Sequence, residues 1–176
     1  MIRAAVLGLG LVLASPAAAQ EAFVGLYDHG VDTPFTLYTG EGGADVMAGY
    51  RFGRQESLRA IGRPDPYLMA SVNTAGDTSF LAAGLNWRIG LGPVYARPGL
   101  GIAVHDGPSR RFSPGGRRTD LGSPVVFVPE IALGLPVSER VSLEASWVHL
   151  SHARLFNSEQ NPGLDMWGVR AVFRTR

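Results

Sequence analysis

The sequence predicts an all-β protein, an eight-stranded antiparallel transmembrane β-barrel of the bacterial outer membrane, built by residues 20–176 as a single domain. Three observations point there. Residues 1–19 have the zones of an export signal, segments of about ten residues alternate apolar with small or polar side chains, and the polar faces mix Gly and Ala with charges of both signs. Alternation alone also fits a soluble sandwich or a lipocalin-like binder. Export, strand length and the small, charged face favour the barrel, whose closure leaves no backbone edge unpaired in lipid.

The leader comes first. Arg3 supplies the positive start, Ala4 to Ala14 is an apolar run, and Ser15-Pro16-Ala17-Ala18-Ala19 ends in the small-residue pattern of a cleavage site, so residues 1–19 are expected to be removed. The run is too short to span a bilayer, which takes roughly 20 residues. Losing Arg3 leaves a chain of equal formal charges.

Eight strand segments follow, at 22–29, 43–53, 66–74, 77–90, 93–106, 124–136, 139–152 and 164–174, separated by Gly, Pro, Asp and Asn clusters. In the fourth, Leu81, Leu85, Trp87 and Ile89 oppose Thr78, Asn86 and Arg88. In the fifth, Val94, Leu100, Ile102 and Val104 oppose Tyr95, Arg97, Gly99, Gly101 and His105. The sixth sets Val125, Phe127, Ile131 and Leu133 against Glu130, Ala132 and Gly134, and the seventh sets Val141, Leu143, Ala145 and Trp147 against Ser142, Glu144 and Ser146. The eighth sets Trp167, Val169, Ala171 and Phe173 against Arg170 and Arg174. A narrow lumen needs small residues and paired charges, and Asp45, Arg51, Arg88, Arg97, Glu130, Glu144 and Arg170 are the candidates for an internal network. With both ends of the barrel in the periplasm, the links near Gly90-Leu91-Gly92 and Pro136 to Glu139 are short turns. The link from Asp106 to Ser123 is a long external loop, and Arg54 to Asp65 is longer than a periplasmic turn should be.

Composition excludes several chemistries. With 16 basic residues, all Arg, against 15 acidic ones, the net charge is +1 and gives no footprint for nucleic acid. The 176 residues contain no Cys, which removes disulfides, thiolate zinc sites and a cysteine nucleophile; the absence of Lys removes Schiff-base chemistry. His29 and His105 lie too far apart in the pattern to argue a metal site, and no cofactor or metal is implied. Any catalysis must use oxygen and imidazole.

Such groups converge near the outer end of the seventh segment. His149 and Ser151 continue the odd, lipid-facing set, and residues i and i+2 of a strand share a face. Asp165 belongs to the outward set of the eighth. A hydroxyl, an imidazole and a carboxylate there supply a nucleophile, the base that takes its proton and the group that fixes the ring. The bland alternative is a polar rim marking the end of the lipid belt. Donors for an oxyanion would come from the Asn161 side chain or from N–H groups after Ser151. His152, a further candidate for contact with the substrate or oxyanion, points away from the lipid by parity if the strand persists that far, or turns outward in the loop. Arg154 and the loop residues Arg110, Arg111, Arg117 and Arg118 are candidates to meet lipid phosphates.

The run His149-Leu150-Ser151-His152-Ala153, followed by Asn161-Pro162-Gly163-Leu164-Asp165, resembles the outer-membrane lipid A 3-O-deacylase (PagL) family. Pro98 to Ala103, Leu121-Gly122-Ser123 and Glu130 to Leu135 are similar too, so the resemblance is good over 93–174. It implies an eight-stranded barrel with a lipid-facing triad that hydrolyses the ester of the 3-hydroxyacyl chain at position 3 of lipid A. It also implies His149 as base, Ser151 as nucleophile and lipopolysaccharide as partner, and it makes Asn161 a residue needed for activity. Asp165 stands where the family usually has Glu, and His152 stands where it has Asn. These two departures are what a competing reading would cite, namely a non-catalytic outer-membrane barrel with a structural or lipid-binding role. The sequence leaves a homodimer open.

Overall fold

The computed structural model describes residues 20–36, 39–109, 118–156 and 161–175. The expected leader therefore lies outside the described residues. Strands form at all eight expected places: β1 (Glu21–His29), β2 (Ala44–Arg51), β3 (Asp65–Asn73), β4 (Phe80–Asn86) with β5 (Ile89–Leu91), β6 (Val94–His105), β7 (Val125–Pro136), β8 (Val141–Leu150) and β9 (Leu164–Arg174). With β4 and β5 lying end to end along β6 as one stave, each stave pairs antiparallel with the next in sequence, and β1 pairs with both β2 and β9, which closes an eight-stave barrel. Among the described residues no helix is long and apolar enough to cross a membrane. This barrel crosses with strands.

One expected strand is split, and proline is the cause. Trp87 N–H donates to Pro98 O at 2.9 Å, the position where an antiparallel pair exchanges two bonds. Pro98 has no N–H to return, so the ladder lapses at Trp87 and Arg88 and resumes in the same register at Ile89 opposite Ala96. The long link after β2 is also explained. It carries a short 3₁₀ helix (Glu56–Ile61) ended by Gly62 at φ 90° and tied down where Trp87 Nε1 donates to Ile61 O at 2.7 Å.

The outward side chains form an apolar belt, with Leu26, Leu68, Leu81, Ile102, Leu133 and Val169 all exposed. The interior is filled in layers. Toward the chain termini, Arg51, Arg97 and Arg170 are buried among Glu21, Asp65, Glu130 and Glu144 with N···O distances of 2.6–3.3 Å. Glu21 and Asp65 open their strands and were not among the sequence candidates. Arg88 was, but it lies outside these ion pairs and stacks on Tyr95, 3.9 Å from the ring centroid. Aromatic rings lie across glycines of the next strand. A Cβ at Gly134 would fall 2.1 Å from a Tyr95 ring atom, and one at Gly168 would fall 2.4 Å from Tyr27. Only glycine admits those rings.

Farther along the axis the interior is apolar, with Met47, Met69, Val126, Val148, Leu150, Leu164 and Met166 buried. Above it sits a polar cap. His29 bridges Asp45 and Glu41, at 2.9 Å each, so Asp45 pairs with this histidine rather than with an arginine. Burial pushes the loop carboxyl of Glu41 up, but bonds from His29, Thr78 and Thr119 outweigh that and hold it below the usual range. His105 faces Ser123 O at 2.7 Å. Among the described residues no cluster suited to a metal ion occurs.

Candidate active site

β8 and β9 run in the register that sets His149 directly opposite Asp165. Parity sends both outward, as the alternation of their strands predicts. His149 Nδ1 meets Asp165 Oδ1 at 2.6 Å, and the carboxylate is fully buried while the imidazole retains slight exposure. An outward carboxylate in an apolar belt is costly unless its lone pairs are filled. They are filled here. Trp147 Nε1 donates to Oδ1 at 3.0 Å, and the hydroxyls of Thr33 and Thr36 both donate to Oδ2. The Trp147 ring also stacks beside His149, with centroids 5.7 Å apart.

Ser151 follows on the same outward parity, 8% exposed. Its backbone exchanges two hydrogen bonds with Phe127, at 2.7 and 3.2 Å. The next such position in that register pairs His149 with Pro129, which has no N–H, so the β7–β8 ladder is interrupted beside the histidine. No hydrogen bond joins the Ser151 hydroxyl to His149 among the described residues. The two groups share a face and an end of the strand, and catalytic contacts of this kind commonly tighten only with substrate bound.

Beyond Ser151 the chain makes a tight turn in which Leu155 N–H donates to His152 O at 2.9 Å and both central residues, Ala153 (φ 52°) and Arg154 (φ 60°), are left-handed. Two consecutive non-glycine residues in that region store strain of about 1–3 kcal/mol each. Asn161 Oδ1 accepts from His152 N–H at 3.1 Å, which ties the far side of the loop to the residue after the serine. That N–H is thereby occupied, and the Asn161 amide nitrogen is the end of the side chain left for another acceptor. His152 is fully buried, its ring tilted 6.2 Å from that of Phe156. Arg154 is exposed at the turn. Arg118 pairs with Asp106, while Arg110, Arg111 and Arg117 lie outside the described residues.

Sequence reasoning placed His149, Ser151 and Asp165 together and missed what holds the carboxylate. Trp147 was read only as a lipid-facing side chain. Thr33 and Thr36 lie far away in sequence, and no local pattern announces that the segment after β1 folds back over the β8–β9 rim. Apolar rings flank the group on either side. Phe35, 71% exposed, lies 5.7 Å from Trp147, and Phe127 stacks on Phe156 at 6.0 Å.

Comparison with known proteins separates fold from family. A crystal structure of the outer membrane enzyme PagL is similar over 89% of this chain and 99% of its own, at 20% identity and a TM-score of 0.55. A de novo designed transmembrane β-barrel is similar over 92% of this chain and 98% of its own (11% identity, TM-score 0.52). The Yersinia pestis outer membrane protein Ail, in a phospholipid bilayer nanodisc, is similar over 90% and 99% (10% identity, TM-score 0.51). A designed barrel thus aligns about as well as an enzyme, so these likenesses speak to the fold. No curated protein matches the sequence. The family signal is in the sequence of residues 49–174, which match Lipid A 3-O-deacylase (PagL). This match reaches back into β2, beyond the stretch from residue 93 where the resemblance was legible. Spanning most of the chain, with His149, Ser151 and Asp165 inside it, the match settles the assignment: the protein is a bacterial outer-membrane β-barrel that belongs to the lipid A 3-O-deacylase (PagL) family.

Proposed function

We propose that the chain is a metal-independent serine esterase that removes the 3-hydroxyacyl chain from position 3 of lipid A, working at the outer rim of the barrel on its lipid-facing side. Family membership supplies lipid A deacylation. The observation that carries the finer reading is the 2.6 Å contact of Asp165 with His149 Nδ1 on the outward face, with Ser151 two residues farther along. Asp165 holds the ring with Nδ1 protonated, which leaves Nε2 as the base. Nε2 takes the Ser151 proton as Oγ attacks the ester carbonyl, then returns it to the departing sugar oxygen. Water, activated by the same nitrogen, hydrolyses the acyl-serine and frees the fatty acid. The Asn161 amide nitrogen and loop N–H groups beyond His152 are the donors proposed for the oxyanion. Arg154, beside the serine, meets a lipid phosphate. Residues 1–19 are the export signal that delivers the chain, and 20–176 the one domain that acts.

A serine at this end of an outer-membrane barrel meets lipopolysaccharide in the outer leaflet, so acyl chains lie along Trp147, Val169 and Ala171 and no lumenal pocket is required. The test is mass spectrometry of lipid A from a Gram-negative host. Wild-type chain removes one hydroxyacyl mass, from position 3, and Ser151→Ala removes none. Unchanged lipid A with the wild-type barrel in the outer membrane would overturn the reading in favour of a non-catalytic barrel. The rate should also fall at acid pH, because an imidazole that has gained a proton cannot act as base. A pH–rate profile that stays flat well below neutrality would remove His149 from that role.

A further inference from the structure

Residues 33–36 form a turn whose construction serves one atom. Thr36 N–H donates to Thr33 O at 3.2 Å, Pro34 pre-sets the backbone at the first central position, and Phe35 N–H donates to Thr33 Oγ1 at 3.1 Å. The hydroxyls at the two ends of this turn thereby face the same way. Both donate to Asp165 Oδ2. The turn is moored independently of those bonds, because Val31 N–H donates to the backbone carbonyl of Asp165 at 3.0 Å and Phe35 packs against Trp147.

We propose that Thr33 and Thr36 are positioning residues for the hydrolysis: they hold Asp165 by Oδ2 so that Oδ1 is aimed at His149 Nδ1. The inference rests on the triad reading above. Asp165 has a short side chain with two rotatable bonds, and His149 needs one of its oxygens at a fixed place. Two hydroxyls on the far oxygen and Trp147 on the near one leave the carboxylate a single orientation. They also divide its charge, since each donor draws density from the oxygens that face the imidazole. The turn is therefore part of the catalytic apparatus although it touches no substrate and lies more than one hundred residues from the serine in sequence.

The experiment compares wild type with Thr33→Val/Thr36→Val, which keeps shape and removes both hydroxyls, and with Thr33→Ser/Thr36→Ser, which restores a hydroxyl at each position. Folding of each barrel is verified by heat-modifiable gel mobility. Two rates are then followed, release of hydroxyacid from lipid A and labelling of Ser151 by a fluorophosphonate, which reports the nucleophile without the natural substrate. The valine pair should lose about ten- to a hundredfold in kcat and in labelling rate, with KM within about threefold. Its acid limb should move up by about half a pH unit or more, because a carboxylate with fewer donors favours the imidazolium. The serine pair should recover most of the loss. Wild-type rates in a folded valine pair would overturn the proposal. So would a loss that serine does not repair, or one with the acid limb unmoved, which marks a purely structural role. If wild type labels at Ser151 but leaves lipid A intact, the substrate reading fails and the labelling rates alone decide this proposal; if Ser151 does not label in wild type, both fail.

Discussion

Ser151→Ala should eliminate release of the hydroxyacyl chain, with a loss of at least about three orders of magnitude in kcat, and should leave the barrel folded. The chemistry offers no substitute. The chain has no Cys and no Lys, and in the proposed mechanism His149 and Asp165 are a base and its partner and neither forms the acyl-enzyme. The structural contribution of Ser151 is through its backbone, which exchanges two bonds with Phe127, and alanine keeps both. Heat-modifiable mobility should match wild type while lipid A keeps its full mass. Asp165→Asn is expected to be milder. In a typical triad that change costs about 10⁴ because the amide turns its NH₂ toward the ring and imposes the wrong tautomer. Here Trp147 Nε1, which can only donate, already points at Oδ1 and rejects an NH₂ there, while the hydroxyls of Thr33 and Thr36 can reverse and accept from it. The amide oxygen stays on His149, the tautomer survives, and only the charge is lost. A fall of about 10²–10³ is therefore expected, measured as hydroxyacid released per folded enzyme.

Glu144→Ala should do the greatest damage to stability. This carboxylate accepts from Arg51 at 2.8 Å, Arg170 at 2.6 Å and Tyr95 at 2.9 Å, lies 3.3 Å from Arg97, and is fully buried. Removing it leaves three guanidinium groups sharing Glu21, Asp65 and Glu130. Breaking a buried ion pair from one side typically costs about 3–5 kcal/mol, against a total of about 5–15 kcal/mol for a folded domain. Urea unfolding in liposomes, read by loss of the folded gel form, should show a large drop in midpoint. Glu144→Gln, which keeps the volume and an acceptor oxygen, should lie between. Activity per folded molecule should be little changed in either, since the site sits at the opposite end of the barrel.

The strands were legible because one face of every stave must be apolar in lipid, and alternation states that residue by residue. Pairing was less so. Pro98 and Pro129 are visible in the sequence, but their effect depends on lying opposite Trp87 and His149, a matter of register. Glu21 and Asp65 escaped notice because each opens a strand, where alternation has just begun. His149, Ser151 and Asp165 could be grouped because they obey the same parity rule on neighbouring strands. Asn161 was singled out as a donor to the oxyanion, and that its Oδ1 also fastens the backbone after the serine depends on how the loop closes, which no local pattern states. Thr33 and Thr36 depend on a loop crossing over the barrel rim, which nothing local in the sequence encodes.

The packed interior has a consequence for the cell that makes this protein. Arginines, carboxylates and aromatic rings fill the barrel near the termini, and methionine, valine and leucine fill it above them, under the cap of His29, Glu41 and Asp45. Among the described residues these layers make a filled core rather than an open tube. An outer membrane owes its resistance to detergents and many antibiotics to the tightness of its outer leaflet, and a porin-like tube would compromise it. On the reading proposed above, this barrel would act on that leaflet from its outer wall while its interior stays filled, and its copy number could rise without opening a leak.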